Sequence, residues 1–230
     1  MGKNILTLIE KQKGELNRLI HISIKGEILS DNSKAIVEQI SNTVLDNIYK
    51  RRSVRSYSEK EVSDEMIKEI IRAGTYAPTA VNKQPWRFVV VKNRQLIAKY
   101  DDRAKKAFLA VYKGTENPDL VRYVQHLSKP TSRLFYGAPV LILIFAAPDV
   151  INDHDCALAA ENMMLAARSL GIGSCWIGLA EGLGNDMEFL KEVSVPEGHK
   201  LVAPLIFGYP ANDNQKAPVR NDNVILKWIN

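Results

Sequence analysis

Three arginines and a serine occur within five residues: Arg51, Arg52, Ser53 and Arg55, with Val54 among them. Each guanidinium group presents a planar fork of N–H donors, and this fork matches the oxygens of a phosphate group. Such a concentration of positive charge is unfavourable in a packed element and favourable around an anion. We therefore predict that this segment is a phosphate clamp. The alternative, for the segment taken alone, is a solvated basic end of a helix.

A second segment further along the chain combines a turn with amide side chains. Pro78 fixes the backbone, and the small residues Thr79 and Ala80 allow a flat ligand to approach the chain closely. The amides of Asn82 and Gln84 both donate and accept hydrogen bonds. A phosphate clamp together with a site for a planar, hydrogen-bonding ring indicates flavin mononucleotide (FMN). The alternative is an ordinary turn that leads into a strand.

One short helix is predicted between the clamp and the turn. Ser63 has the position of an N-cap, Asp64 and Glu65 supply acids to the first turn, and an apolar stripe ends at Gly74. After the turn, the β-branched run at 88–91 predicts a buried strand. The clamp and the turn are therefore expected on either side of a single helix.

These motifs, in this order, resemble the nitroreductase family of FMN-dependent oxidoreductases. The likeness runs from about residue 44 to the C-terminus and includes several separate motifs. They are the basic clamp, the turn that ends at Trp86, residues 155–162 (DCALAAEN), residues 171–178 (GIGSCWIG) and residues 207–210 (FGYP). The resemblance implies an α+β, three-layer nitroreductase-like fold in which a central mixed sheet is flanked by helices.

For the basic residues, the resemblance implies contacts with the phosphate end and one edge of the flavin. Arg51 and Ser53 are expected to hold phosphate or ribityl oxygens. Arg55 is expected at the N1 and O2 edge of the ring, where negative charge develops on reduction. Arg52 belongs to the same segment, with no flavin atom assigned to it. Lys216 and Arg220 match basic residues that return to the phosphate, although their spacing is loose.

At the ring itself, the resemblance points to the end of the strand predicted near residue 176. Gly178 and Leu179 match positions whose backbone N–H groups face flavin N5, the atom that accepts hydride. Glycine permits this close approach because it has no side chain. Trp176 and Ile177 either line the ring or pack in the core, and the sequence leaves both interpretations open.

The resemblance also implies a homodimer with shared active sites. It places Pro78, Thr79, Ala80 and Asn82 against the flavin that the other subunit mainly binds. Neither subunit alone would then have a complete site. Near the C-terminus, residues 224–228 are an expected edge strand that reaches over the partner.

The composition is that of a globular protein, with 46% apolar and 25% charged residues. Lys and Arg number 31 against 26 acidic residues, which gives a net charge of +5. This excess suits an anionic cofactor and a phosphorylated electron donor. A nucleic-acid partner is not expected, because the basic residues are scattered and accompany no nucleic-acid-binding motif.

Cysteine usage and hydropathy indicate the cellular setting. Cys156 and Cys175 are the only cysteines, too few for a disulfide framework or a metal site, so we expect a reducing, cytoplasmic environment. No apolar run approaches the roughly 18 residues that span a bilayer, and no leader peptide is recognisable. A membrane partner is therefore not expected.

We predict two parts, a helical N-terminal extension at 1–42 and an FMN-binding domain at 43–230. The extension has helical spacing and no site chemistry, so it is expected to cover an apolar surface rather than to act as a separate module. In the domain, helices are predicted at 95–113, 119–134, 155–170 and 186–192, and strands at 88–91, 140–147, 174–179 and 201–208. The helices within 95–134 are expected to form either a lid over a pocket or ordinary packing.

We predict an oxidoreductase with a ping-pong mechanism, in which NAD(P)H delivers hydride to flavin N5 and leaves before an electron-poor acceptor, a nitroaromatic or a quinone, takes the electrons. No catalytic side chain is expected, because the flavin carries this chemistry. The four histidines are isolated, and the sequence has no Gly-x-Ser-x-Gly elbow and no His/Cys cluster for a metal. The alternatives are a specialised relative (a reductive dehalogenase, an enone reductase or a flavin-cleaving enzyme) and a flavin-binding protein without turnover.

Overall fold

The computed structural model describes residues 42–148, 152–212, 215–221 and 223–229. The chain divides into two units, residues 1–46 and residues 47–230. The helices predicted before residue 42 lie outside the described residues, so the division into an extension and a domain stays a prediction. The clamp, the turn and the four strands of the sheet lie entirely within the second unit.

Six helices and two 3-10 segments are described, and side-chain caps define where several of them begin. The helices are α1 (Thr43–Lys50), α2 (Asp64–Gly74), α3 (Arg94–Tyr112), α4 (Pro118–Leu127), α5 (Asn152–Ser169) and α6 (Met187–Glu192), and the 3-10 segments are Ala80–Asn82 and Gly178–Asn185. The predicted N-cap of α2 is confirmed, since Ser63 accepts a hydrogen bond from the Met66 N–H. Asn93 and Asn117 cap α3 and α4 in the same way.

Four strands form one sheet: β1 (Trp86–Val91), β2 (Val140–Ala146), β3 (Gly173–Trp176) and β4 (Lys200–Gly208). Their order is β1-β2-β4-β3, and every neighbouring pair is antiparallel. An isolated parallel bridge joins Ser53 to Ser174 beside β3, outside the four strands, so the described sheet itself is antiparallel and not mixed as expected. The bridge attaches the clamp segment to the sheet.

The sheet is covered on both faces, so the fold has the three layers that the resemblance implied. Along β2 the side chains alternate between two buried clusters. Ile142 and Ile144 belong to the cluster that includes α2 and α5, and Leu143 and Phe145 belong to the cluster that includes α3 and α6. A strand buried on both faces explains why residues 140–147 form a continuous apolar run.

Two predicted elements differ from the structure. The helix predicted to end at 134 ends at Leu127, because Pro130 follows closely and disfavours helical backbone before it. The strand predicted to end at 179 ends at Trp176, where the chain turns into a 3-10 segment. The described residues 224–228 form no strand with the sheet of their own chain, and the edge strand expected over the partner stays a prediction.

An ion pair attaches α3 to the segment that follows β3. The Arg103 guanidinium donates to both oxygens of Asp186, at 2.7 and 2.6 Å, and Asp186 also accepts from the Phe189 N–H to cap α6. These hydrogen bonds lower the pKa of the Asp186 carboxyl and raise that of Arg103. The helices within 95–134 therefore pack partly in the core, since α3 also buries Tyr100 and Phe108.

Candidate cofactor-binding site

A cleft with a basic lining lies beside the clamp, and we call it the basic cleft. Its volume is about 270 Å³. Four of the residues that line it are cations: Lys50, Arg51, Arg52 and Arg168. The remaining lining residues are Val54, Gly171, Ile172, Gly173, Ser174, Pro210, Asn212 and Gln215. Since none of these described residues is a carboxylate, the cleft suits an anion.

The backbone holds the clamp against β3. The Val54 N–H donates to the Ser174 carbonyl oxygen at 2.9 Å. Gly173 makes the close packing possible, because a Cβ atom there would lie only 2.6 Å from Cγ2 of Val54. The main chain therefore fixes the position of the clamp beside β3.

The arginines of the clamp differ in what they already bind. Arg52 donates from one terminal nitrogen to the carbonyl oxygens of Tyr49 and Arg51, at 2.6 and 2.7 Å. Its Nε atom is buried and has no hydrogen-bond partner among the described residues. Arg51 lies 3.5 Å from the Glu161 carboxylate, an ion pair that is half-exposed. A buried donor without an acceptor is costly, so the cleft fits an anionic group.

Arg168 and Lys50 also line the basic cleft, and sequence reasoning missed both. Arg168 lies in the last turn of α5, and its Nε donates to the Lys50 carbonyl oxygen at 3.3 Å. A basic residue in the last turn of a helix has an ordinary explanation in the helix dipole, so the sequence offered no functional signal for it. The signal that could have found it is its position three residues before Gly171, where α5 turns back towards the clamp.

Arg55 and Tyr57 end the clamp segment beside Tyr136 and Cys175. Arg55 is exposed. Burial raises the pKa of Tyr136, and the positive charge of Arg55 partly offsets that rise. Burial also raises the pKa of the Tyr57 hydroxyl, which donates to the Val54 carbonyl oxygen at 2.7 Å. The pKa of the Cys175 thiol is likewise raised by burial. Tyr57, Tyr136 and Cys175 are therefore neutral at pH 7, and the thiol is not an activated nucleophile.

The turn that carries the predicted amide contacts is exposed and strained. Val81, Asn82 and Gln84 have φ values of 45°, 56° and 48°, in the left-handed region that a β-branched residue such as valine adopts rarely. The Gln84 side-chain amide donates to Asn82 Oδ1 at 3.0 Å, and its backbone N–H donates to Thr79 Oγ1 at 3.3 Å. Such strain is typical of segments held in one conformation for binding.

A buried carboxylate on α5 holds this turn in place. Asp155 is 6% exposed, and its Oδ2 accepts a hydrogen bond from the Ala80 N–H at 3.3 Å. From the sequence, Asp155 lies in a family motif and is expected to form, with His154, a capping or surface pair at the start of a helix, whereas the structure buries it. Its position shows that it links the helix to the exposed turn, and Pro78 and Ala80 are themselves exposed on that turn.

We expect Asp155→Ala to lower the free energy of unfolding by about 1–3 kcal/mol, because the Ala80 N–H loses its acceptor. Asp155→Asn retains an acceptor oxygen and should lose less. Urea denaturation of both variants measures the difference. Equal stability of Asp155→Ala and the wild type would show that the hydrogen bond does not hold the turn.

The predicted ring contacts follow β3. Trp176 is half-buried and packs against the buried cluster that includes α2 and α5. Ile177 is buried in the other cluster, which includes α3 and α6. Gly178 is exposed and Leu179 is half-buried at the start of the 3-10 segment. The first N–H groups of such a segment have no acceptor within it, so they are available to a ligand.

Within one chain, the structure does not bring all the predicted site residues together. The basic cleft is lined by Arg51 and Arg52 but by no residue of the turn and not by Gly178 or Leu179. Lys216 and Arg220 are exposed and do not line the basic cleft either, although the neighbouring Gln215 does. Their contact with a phosphate stays a prediction.

Two absences apply to the described residues. They contain no group of His, Cys, Asp and Glu side chains that could hold a metal ion. No helix among them is long and apolar enough to cross a membrane.

Comparison with known proteins gives one family. The model of the nitroreductase family matches residues 48–209. A protein of Archaeoglobus fulgidus, provisionally named NADH dehydrogenase/NAD(P)H nitroreductase, is 34% identical over 173 residues, which cover 72% of this chain and 84% of the relative. An iodotyrosine deiodinase of Haliscomenobacter hydrossis is 28% identical over 174 residues, covering 70% of this chain and 76% of the relative.

The fold has solved counterparts. The crystal structure of a nitroreductase from Bacteroides fragilis, with bound FMN, superposes with a TM-score of 0.72 at 32% identity. The superposition covers 82% of this chain and all of that one. A nitroreductase from Desulfitobacterium hafniense, also with bound FMN, gives a TM-score of 0.70 at 28% identity and covers 83% of this chain and all of that one.

Proposed function

Because this chain belongs to the nitroreductase family, we propose that it is an FMN-dependent oxidoreductase that transfers hydride from NAD(P)H to an electron-poor acceptor, a nitroaromatic or a quinone. The observation that carries the proposal is the basic cleft, with four cations and a buried Arg52 Nε that lacks an acceptor. Relatives of known structure hold FMN. When bound, FMN supplies hydride transfer at N5, first from the nicotinamide and then to the acceptor.

The residues of the basic cleft supply the hold on the phosphate. Arg51, Arg168 and Lys50 offer positive charge there, and Arg52 Nε offers a buried donor. Ser53 lies on the same segment and contributes a hydroxyl. A cleft of about 270 Å³ is small for a dinucleotide and suits a terminal phosphate with its ribityl neighbours. We therefore favour FMN over FAD.

Arg55 provides a cation for the ring. It is exposed at the end of the clamp, beyond the basic cleft, and one of its terminal nitrogens donates to the Ser53 carbonyl oxygen at 3.4 Å. A guanidinium group held near the N1 and O2 edge stabilises the negative charge that reduction places there. Arg55 would thereby make the cofactor accept hydride more readily.

We propose a homodimer in which each site takes residues from two chains. The support is that the turn lies outside the basic cleft of its own chain, while Val81 is 86% exposed and Tyr76, just before the turn, is 75% exposed. Large exposed apolar side chains beside an ordered, strained turn favour a partner surface. Cys156 and Cys175 are buried and unpaired, which suits the cytoplasm that we propose as the location.

We expect Gly178→Ala to leave the fold intact and to weaken FMN binding about tenfold, because a methyl group is forced into a close contact with the ring. In the chain itself a Cβ at Gly178 meets nothing nearer than Glu181 Oε1, at 3.6 Å. Thermal melting and flavin titration measure the two effects. Gly173→Ala is the contrasting variant, since its Cβ would lie 2.6 Å from Val54 and should lower the melting temperature. Normal FMN affinity in Gly178→Ala would remove Gly178 from the ring site.

Steady-state kinetics test the proposed activity. With NADH or NADPH varied at several fixed concentrations of a nitroaromatic, a ping-pong enzyme gives parallel double-reciprocal lines. Intersecting lines would contradict the mechanism. No turnover beyond that of free FMN would identify a flavin-binding protein instead.

Reductive dehalogenation is a second candidate, favoured by the identity with an iodotyrosine deiodinase. It uses the same cofactor, so the basic cleft does not separate the two reactions. Release of iodide from 3-iodotyrosine under anaerobic conditions with a strong reductant, at rates above those for nitroaromatic reduction, would select it.

A further inference from the structure

A second cleft lies between helices α3 and α4 and the 3-10 segment Gly178–Asn185, and we call it the apolar cleft. Its volume is about 540 Å³, within the range of small-molecule sites. Its walls are formed by α3 and α4 on one side and by the start of β4 on the other. The apolar residues that line it are Phe108, Val111, Tyr112, Leu120, Leu179 and Leu201.

Glycines allow the 3-10 segment to form the floor of this cleft. A Cβ on Gly182 would lie 3.1 Å from the Ala107 Cβ, and a Cβ on Gly184 would lie 2.9 Å from the Leu201 Cβ. The segment therefore packs closely on α3 and β4, and larger residues would push the walls apart. Gly178 also lines the cleft, so the cleft begins at the position expected beside flavin N5.

The charge of the apolar cleft comes mainly from Glu181. Its Oε1 lies 3.6 Å from the position of a Cβ on Gly178. The other charged group of the lining, Lys200, is already paired with the Asp153 carboxylate, and this pairing, with a smaller contribution from Glu181, raises the pKa of Lys200. The Lys200 pair is neutral as a whole, so Glu181 leaves a net negative charge at the end of the cleft near Gly178.

We propose that the apolar cleft binds the acceptor, and that Glu181 selects aromatic acceptors that carry a cationic group over neutral and anionic ones of the same shape. This rests on the proposed function, because only a bound flavin makes the Gly178 end of the cleft reactive. The apolar walls take the ring, and the Glu181 carboxylate meets the positive charge. Anionic acceptors are disfavoured by the same carboxylate.

The test uses three ligands of nearly equal shape: 4-methylbenzylamine, 4-methylbenzyl alcohol and 4-methylbenzoate. Each is titrated into the FMN-loaded protein, and ligand-observed NMR gives its dissociation constant without any turnover. We expect the amine to bind about fivefold more tightly than the alcohol, the factor for a unit charge pair about 4 Å apart in a water-like dielectric. The benzoate should bind most weakly.

Variants test whether the order of the three ligand affinities depends on Glu181 and on the apolar cleft. Glu181→Gln should bring the ratio of amine to alcohol affinity close to one. Glu197→Gln makes the same change of charge on an exposed residue that does not line the cleft, and it should keep the wild-type ratio. Val111 is 73% exposed, so Val111→Trp should leave the core intact, fill the cleft and weaken all three ligands.

Two results would overturn the inference: equal affinity of the wild type for the three ligands, or ligand binding that Val111→Trp does not change. Failure of the proposed function has a different signature. A protein that shows the charge order but oxidises no NAD(P)H with any acceptor has the cleft and lacks the activity. A protein that turns over nitroaromatics without a charge order has the activity and lacks the selectivity.

Discussion

Arg51→Ala and Arg168→Ala will each lower the affinity for FMN about tenfold to a hundredfold, since each removes a charge-assisted hydrogen bond worth about 1.5–3 kcal/mol. Both side chains line the basic cleft, from the clamp and from α5. Titration of the apoprotein with FMN, followed by flavin fluorescence, measures the change. The affinity for riboflavin, which has no phosphate, should change far less.

Arg122→Ala is the matched control. Arg122 is an exposed arginine that forms an ion pair with Asp119, and it does not line the basic cleft. Its removal should leave FMN affinity at the wild-type value. Unchanged affinity in Arg51→Ala and Arg168→Ala would mean that the cleft does not hold the phosphate.

Mixed dimers of Arg51→Ala and Asn82→Ala subunits will regain about half of the wild-type FMN sites. If the turn of one chain completes the clamp of the other, one site of the mixed dimer carries both defects and the other carries neither. Each mutant homodimer is impaired at both sites. Co-expression with two affinity tags isolates the mixed species, and flavin content per dimer measures recovery.

A second pairing serves as the control for this experiment. Mixed dimers of Arg51→Ala and Arg168→Ala subunits have one defect in each site, because both residues line the basic cleft of the same chain. No site should recover. Equal flavin content in the two kinds of mixed dimer would show that the site belongs to one chain. Since FMN that spans two chains binds only the assembled site, its removal should also weaken the dimer.

The elements of the second unit could largely be predicted from local signals. Ser63 with its following acids marked the start of α2, and the β-branched and Leu-rich runs marked β1 and β2. These signals are local because caps and strand propensity act over a few residues. The strand expected at 224–228 is not formed within one chain, and its pairing over a partner depends on a neighbouring edge that no local pattern reports.

The candidate site was only partly predictable. The clamp and the turn are short segments with many hydrogen-bonding or charged side chains. Their residue types therefore indicated sites for a phosphate and for a ring. Arg168, Asp155 and Glu181 reach their sites from a helix or a 3-10 segment whose spacing has ordinary explanations. Their roles depend on which elements pack together, and that information appears only in the folded chain.

The most direct test of the account is an anaerobic titration of the FMN-loaded protein. One equivalent of NADH or NADPH per flavin should bleach the visible flavin absorption, and a nitroaromatic or a quinone added afterwards, without oxygen, should restore it. This result would demonstrate both halves of the proposed ping-pong reaction in one sample. If neither nicotinamide bleaches the flavin, or no such acceptor restores the absorption, the protein is not the reductase proposed here.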